Sequence, residues 1–168
     1  MDRKIRFLTQ AALIAALYTI LTHLQNLLIP DSATWAIQFR ASEALCVLAF
    51  FTPAAIPGLA IGCLVFNLTY IGALPMDFLV GSLATLGAAW AMWKCREICW
   101  KGFPLLGMLM PAAWNGALVG WELTVNIGGG FWINALSVAL GELGVLLTLG
   151  SALYFGLKAR GLEKRIFG

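Results

Sequence analysis

The stretch that decides the fold is residues 44–71, ALCVLAFFTPAAIPGLAIGCLVFNLTYI, an apolar run interrupted by Pro53 and Pro57. A proline inside a helix removes a backbone donor and clashes with the preceding turn, so it kinks or breaks the helix. The run is therefore either one long kinked helix or two short helices that turn near residues 52–54. The first reading predicts five membrane crossings and the second predicts six.

The distribution of Lys and Arg favours two helices. Cytoplasmic loops retain Lys and Arg, so a correct threading collects these residues on one side of the membrane. With one helix, three of the eleven basic residues fall on one side and eight on the other, against the expected bias. With two helices, only Arg40 is left on the outer side, and the other ten are cytoplasmic: Arg3, Lys4, Arg6, Lys94, Arg96, Lys101, Lys158, Arg160, Lys164 and Arg165.

Composition places the chain in a membrane. It is 61% hydrophobic and 11% charged, whereas soluble domains are about 25% charged and about 45–50% apolar. We therefore predict an all-α, multi-pass protein of a bacterial-type cell (plasma) membrane, a single domain over residues 1–168 with both termini cytoplasmic. The six transmembrane helices are predicted at residues 7–29, 39–52, 54–71, 76–93, 104–124 and 131–157.

The second helix is too short to cross a bilayer comfortably. Residues 39–52 would extend roughly 21 Å as an α-helix, against a hydrocarbon core of roughly 30 Å. Short second and third helices leave room for the polar loop at residues 31–38 to dip inward and cover a cavity. Trp35 in that loop is a candidate ligand contact.

Polar residues inside the apolar runs are costly and need a reason. On the fifth helix, Trp114–Asn115 and Trp121–Glu122 are seven residues apart and so lie on nearly one face. Glu142 lies deep in the sixth helix, as either a protonated carboxyl bonded across helices or a ligand or relay group. We predict an outward-facing cluster of Asp77, Asn115, Glu122, Asn126, Asn134 and Glu142, with Trp114 or Trp121 beside it.

This cluster suits a flat ligand with several N–H donors. A carboxylate accepts two N–H bonds from a guanine-like edge, and an indole can stack on the base. Arg40 and Glu43, spaced i,i+3, either neutralise each other at the outer end of the second helix or also contact the ligand.

The alanines of helix 1 and the four cysteines are two further features of the sequence. Ala11, Ala12, Ala15 and Ala16 form two small-xxx-small pairs, for internal packing or for docking a partner protein. Cys46 and Cys63 read as small hydrophobes, and Cys95 with Cys99 lacks further ligands for a metal. We expect no metal and no cofactor.

The segments QFRASEAL (38–45) and FFTPAAIPGL (50–59) resemble the queuosine-precursor transporter (QueT) family, whose members are substrate-binding S components of energy-coupling-factor (ECF) transporters. The resemblance implies a six-helix S-component bundle. Its substrate would be a 7-deazapurine, such as aminomethyl-deazaguanine (preQ1) or queuine, bound from outside by the loop after helix 1 and by helices 4 to 6. Its partners would be two ATPases and a membrane coupling protein that docks on the alanine face.

Three alternatives remain open. The chain could be an S component for another vitamin, or an ion-coupled secondary transporter of a small polar solute with Glu142 as proton carrier. A membrane enzyme is the third, but the sequence holds no H-E-x-x-H or G-x-S-x-G motif. It also lacks a Walker phosphate loop, so we expect a transporter component that does not itself hydrolyse ATP.

Overall fold

The computed structural model describes residues 2–30 and 39–167, and this part of the chain is helical without any strand. The helices are α1 (Arg3–Leu28), a 3₁₀ helix (Ala41–Phe50), α2 (Ala55–Thr69), α3 (Asp77–Cys95), α4 (Leu105–Asn126), α5 (Phe131–Val145), α6 (Ser151–Ala159) and α7 (Leu162–Phe167). A π-helical turn, Leu146–Gly150, joins α5 to α6 without a break. The predicted all-α class is confirmed.

The predicted break at Pro53 is present. The 3₁₀ helix ends at Phe50, α2 begins at Ala55, and Pro53 lies between them. The conformation of the first segment differs from the α-helix that the sequence suggested. Ten 3₁₀ residues extend roughly 20 Å at about 2.0 Å per residue, so the segment is as short as expected. Most of its side chains are buried, because it contacts α1, α2, α3, α5, the π-helical turn and α6.

Within residues 2–30 and 39–167, three helical stretches are long and apolar enough to cross a membrane: Arg3–Leu28, Asp77–Cys95 and Phe131–Ala159. Helix α4 is 22 residues long, roughly 33 Å, but Asn115 and Glu122 make it less apolar. Large apolar side chains cover the outside of the bundle; Leu27 is 78% exposed and Ile133 is 70% exposed. Such a surface is typical of a membrane protein, and the number of crossings stays a prediction.

A seam of small residues joins α1 to α2. A Cβ atom added to Gly58 would lie 2.8 Å from the Ala11 carbonyl oxygen, and one added to Gly62 would lie 2.9 Å from that of Ala15. The two backbones therefore touch, as in other small-xxx-small contacts. Ala11 and Ala15 are buried in this seam, whereas Ala12 and Ala16 are exposed on the outside. Internal packing thus accounts for one of the two predicted alanine pairs.

A second seam joins α4 to α5 with the roles exchanged. Here the glycines are on the first helix, Gly116 and Gly120, and the alanines are on the second, Ala135 and Ala139. A Cβ atom on Gly120 would lie 2.6 Å from the Cα atom of Ala135. This closeness fixes the position of α4 near its last turns, where Glu122 lies.

The two terminal segments meet at one end of the bundle. Arg6 Nη2 donates to the Phe167 carbonyl oxygen at 2.6 Å, and Gln10 Nε2 donates to that of Ile166 at 2.9 Å. That both termini are cytoplasmic stays a prediction. We call this end of the bundle the basic end.

Aromatic contacts bring the α3–α4 loop to the same end. The Tyr154 ring contacts Phe51 and Phe103, and the Phe51 ring stacks on Phe167. The basic end therefore collects the cationic side chains Arg3, Lys4, Arg6, Lys94, Arg96, Lys101, Lys158 and Arg160. At the opposite end, the polar end, α1 and α4 finish and α3 begins.

Candidate functional site

Charged and amide side chains are buried together toward the polar end. Six of the predicted site residues, which we call the polar cluster, are each at most 5% exposed: Arg40, Glu43, Asp77, Asn115, Glu122 and Glu142. They come from the 3₁₀ helix and its N-cap, α3, α4 and α5. Burying such groups in a membrane protein is expensive, so the cluster is the strongest candidate site.

Arg40 supplies positive charge to the cluster. Its guanidinium lies 5.8 Å from the centre of the Phe66 ring, and its Nη1 atom is 3.9 Å from Cys63 Sγ. It is close enough to the carboxylates of Glu43 and Asp77 to interact with both electrostatically. Arg40 therefore offsets part of the negative charge that the fold buries around it.

Glu43 is held by α1 and by its own helix. The Tyr18 hydroxyl donates to Oε1 of Glu43, and the Cys46 thiol donates to Oε2 at 3.1 Å. The predicted relation between Arg40 and Glu43 is thus electrostatic, while the hydrogen bonds of the carboxylate go to other residues. Both oxygens of Glu43 are occupied, which makes it a supporting group rather than an open acceptor.

Asp77 is positioned by the start of α3. Its Oδ2 atom accepts from the backbone N–H of Leu74 at 2.7 Å, and its carbonyl oxygen accepts from Asn67 Nδ2 at 2.9 Å. These two bonds tie the first turn of α3 to the preceding loop and to α2. The Asp77 carboxyl lies close to that of Glu122 on α4, although no hydrogen bond of normal geometry joins the two groups.

Glu122 and Glu142 carry open acceptor atoms. Asn115 Nδ2 donates to Oε1 of Glu142 at 2.9 Å. Among the described residues, Oε2 of Glu142 and both carboxylate oxygens of Glu122 accept no hydrogen bond. A buried polar atom without a partner costs about 1–3 kcal/mol. Glu122 is also wholly buried, so these oxygens mark the place where a ligand with N–H donors would be stabilised most.

Comparison with known proteins identifies the family of the chain. A sequence model of the QueT transporter family matches residues 8–159, which is most of the chain. The chain belongs to the QueT transporter family. This confirms the resemblance seen in the segments 38–45 and 50–59, and it agrees with the expectation of a transporter rather than an enzyme.

A curated relative from Lactococcus lactis subsp. cremoris (strain MG1363) is named "Queuosine precursor transporter QueT". It is 40% identical over 75 residues. That match covers 45% of this chain and 42% of the relative, so it spans less than half of either protein. No solved structure matches the chain.

In this QueT family member, the predicted tryptophans lie outside the polar cluster. Trp114 is 37% exposed and Trp121 is 47% exposed. Successive residues of an α-helix differ by about 100°, so the helix that turns Asn115 and Glu122 inward turns both indoles outward. The seven-residue spacing places Asn115 and Glu122 on one face and the two indoles on another, so the structure does not bring Trp114 or Trp121 to the cluster as expected. Trp35 lies outside the described residues.

The two remaining predicted residues have local hydrogen bonds. Asn126 is exposed, and its Nδ2 atom donates to the Glu122 carbonyl oxygen at 3.0 Å near the end of α4. Asn134 is half-buried, and its Nδ2 atom donates to Thr124 Oγ1 at 3.0 Å and to the Gly128 carbonyl oxygen at 3.1 Å. Both side chains order the α4–α5 connection, next to the cluster rather than within it.

Several cluster residues were missed in the sequence. Cys46 and Cys63 resemble small hydrophobic residues in the sequence, and no pattern marks Tyr18, yet all three contact Glu43 or Arg40. Asn67 in the apolar run of α2 was the available signal, because its amide lies against both Cys63 and Asp77.

The acidic residues of the cluster do not form a metal-binding group. Among the residues that the structure describes, no three His, Cys, Asp or Glu side chains are placed to hold a metal ion together. The buried carboxylates offer negative charge and hydrogen-bond acceptors to a ligand.

Proposed function

We propose that this chain is the substrate-binding S component of an ECF-type importer and that it captures a 7-deazapurine precursor of queuosine. Two observations support the substrate class: membership of the QueT family, and the printed name of the relative from Lactococcus lactis. The observation that carries the binding site is the wholly buried Glu122, whose carboxylate oxygens have no donor among the described residues.

The ligand would satisfy these oxygens with a guanine-like edge. Such an edge presents two parallel N–H donors, which match the two oxygens of a carboxylate. Glu122 is the acceptor that we assign to this edge, and Glu142 Oε2 receives a further donor of the ligand. Tyr18 and Phe66 are the aromatic rings that the fold places beside Arg40 and Glu43. In this proposal they provide aromatic surface in place of the exposed indoles, and Trp35 remains a candidate contact.

Delivery of the ligand needs partners. We assign ATP hydrolysis to two ATPases and coupling to a membrane protein, because this sequence has no Walker phosphate loop. The exposed pair Ala12 and Ala16 is the surface assigned to the coupling protein, since Ala11 and Ala15 are occupied by α2. The loaded bundle would tip in the membrane and release the ligand inward.

The binding proposal is tested by calorimetry on the purified protein with a panel of deazaguanines and water-soluble vitamins. Glu122→Gln replaces one acceptor oxygen with an NH₂ donor, so deazaguanine affinity should fall by about 10- to 100-fold. Glu97→Gln is the matched control, because Glu97 is exposed at the basic end, where it pairs with Arg96. The site is wrong if Glu122→Gln and Glu142→Gln both leave binding intact, and binding of a vitamin instead would support a different S component.

The proposed orientation places the polar end outside the cell. Cys99 is an exposed thiol in the α3–α4 loop at the basic end, whereas Cys46 and Cys63 are buried. In a Cys95→Ser background, a membrane-impermeant maleimide should label Cys99 in inverted vesicles and leave it unlabelled on intact cells. Labelling of Cys99 from the cell exterior would show that the polar cluster faces the cytoplasm.

An ion-coupled secondary transporter is the second candidate, and Glu142 favours it. This carboxyl is buried in mid-helix with one oxygen unpartnered among the described residues, as in proton-carrying sites of pumps and transporters. Uptake of ligand by this chain alone in vesicles, abolished by an uncoupler, would support this reading. Uptake that requires added ATPase partners and ATP supports the ECF proposal.

A further inference from the structure

A pocket lies at the basic end, far along the bundle from the polar cluster. Its volume is 400 Å³, and the residues around it are Arg3, Arg6, Phe7, Gln10, Thr52, Pro53 and Phe167. We call it the basic pocket. The proposed transport function uses none of these side chains, so the pocket needs an explanation of its own.

One face of α1 forms a wall of the pocket. Arg3, Arg6, Phe7 and Gln10 are spaced three and four residues apart, which places them along one helical stripe. Gln10 Nε2 donates to the Ile166 carbonyl oxygen at 2.9 Å, and Gln10 Oε1 accepts from Thr52 Oγ1 at 3.0 Å. The base of the pocket is therefore fixed by bonds between α1, α7 and the residue before Pro53.

The pocket has more donors than its acceptors can satisfy. Among the described residues no carboxylate lines it, and the nearby Asp2 is used as the N-cap of α1, accepting from the backbone N–H of Lys4 at 3.2 Å. A guanidinium has five N–H donors, and Arg6 spends one on Phe167. Arg3 contacts no acceptor among the described residues. Two guanidinium groups thus face an open space that would attract an anion.

The side of α1 next to these cations is apolar. A second cavity of 390 Å³ shares Arg3 and Phe7 with the basic pocket and is completed by Lys4 and Leu8. Leu8 is 65% exposed. Positive charge therefore lies directly next to exposed apolar surface. In a bilayer, this combination of surfaces fits the boundary between the phosphate groups and the acyl chains. A free anion would use only the cations, whereas a phospholipid would use both surfaces.

We propose that the basic pocket binds the headgroup phosphate of an anionic phospholipid, with its acyl chains along Phe7 and Leu8. Arg3 and Arg6 donate to the phosphate oxygens, for which the planar guanidinium is well shaped. Because Arg6 and Gln10 also hold α7, an occupied pocket joins the two terminal helices of the chain. Lipid binding should therefore raise the thermal stability of the protein.

The test is the melting temperature of the purified full chain in detergent, with added phosphatidylglycerol, phosphatidylcholine or inorganic phosphate. Phosphatidylglycerol at about tenfold its half-saturating concentration should raise the melting temperature by about 4 °C. Arg3→Gln/Arg6→Gln should abolish that rise. The control Lys94→Gln/Lys101→Gln removes the same charge from the same end but outside the pocket, and it should keep the rise.

Three results would overturn the proposal. The first is an equal rise with phosphatidylcholine, which would indicate a general lipid effect. The second is an equal rise with inorganic phosphate, which would indicate a site for a soluble anion. The third is a rise that survives in Arg3→Gln/Arg6→Gln. The single variant Arg3→Gln keeps the test valid if the double variant misfolds. The exposed Arg3 side chain has no partner among the described residues, so this variant should fold normally and reduce the rise in melting temperature by about half.

Discussion

The two ends of the bundle differ in how far their charged side chains are buried. At the basic end, Lys94 is exposed, and Arg96 forms an ion pair with the 81% exposed side chain of Glu97. At the polar end, Arg40 and Glu122 are at most 5% exposed. Exposed Lys and Arg side chains cost little free energy, and they bias the direction in which the chain crosses the membrane. Buried charge is costly and persists only where the fold or a ligand compensates for it.

The largest expected contrast comes from removing one cation at each end. Arg40→Met leaves the carboxylates around it without their positive charge, so the free energy of unfolding should fall by about 3–5 kcal/mol. Lys94→Met removes an exposed charge that lies 5.8 Å from the Trp90 ring centre, and its effect should stay below about 1 kcal/mol. Denaturant unfolding in detergent measures both. Equal losses would mean that burial of Arg40 carries no special energy.

A smaller contrast comes from one hydroxyl at each end. Tyr18→Phe removes the phenolic donor to buried Glu43, so the free energy of unfolding should fall by about 1.5–3 kcal/mol. Tyr154→Phe removes a hydroxyl beside the exposed Lys158, whose Nζ atom lies 4.9 Å from the ring centre, and water can replace that interaction. Thermal unfolding of the two variants separates these cases. A Tyr154→Phe loss as large as that of Tyr18→Phe would contradict the comparison.

The smallest difference in stability is expected between two variants, each of which replaces one glycine of one of the two seams by alanine. Gly120→Ala and Gly58→Ala both force a Cβ atom against backbone, at 2.6 Å from Ala135 and 2.8 Å from Ala11, so each should cost about 1–3 kcal/mol. Their effects on ligand affinity should differ, because only Gly120 lies within two residues of Glu122.

Calorimetry on the folded fraction of each glycine variant checks this expectation. Gly120→Ala should weaken deazaguanine binding, while Gly58→Ala should leave it within about twofold of the parent. Gly156→Ala is the neutral control, since nothing lies within 4 Å of its added Cβ atom. Equal weakening by both seam variants would show that the seams act on the site as one unit.

Much of this architecture was readable from the sequence. Prolines are strong local signals, so the break at Pro53 was predicted, and apolar length predicted the helices to within a few residues. Costly polar residues predicted that Asp77, Glu122 and Glu142 belong to one site. These features depend on single residue types and short spacings, which a sequence displays directly.

Other features depend on neighbours that a sequence does not display. The 3₁₀ conformation of residues 41–50 follows from confinement among surrounding helices. Tyr18 and Cys46 resemble core residues until Glu43 is found beside them. The exposed position of Trp114 follows from the rotation of α4, which is set by its seam with α5. Each of these outcomes is decided by tertiary packing rather than by local pattern.

The short 3₁₀ helix has a consequence for biogenesis. The helix is roughly 20 Å long and has Arg40 and Glu43 at its start, so a translocon would not insert it efficiently by itself. Its flanks are covered by protein, so its backbone is stable at membrane depth only after its neighbours arrive. We expect it to enter the bilayer together with α2 as a helical hairpin, and the polar cluster to become complete only when α5 has been synthesised.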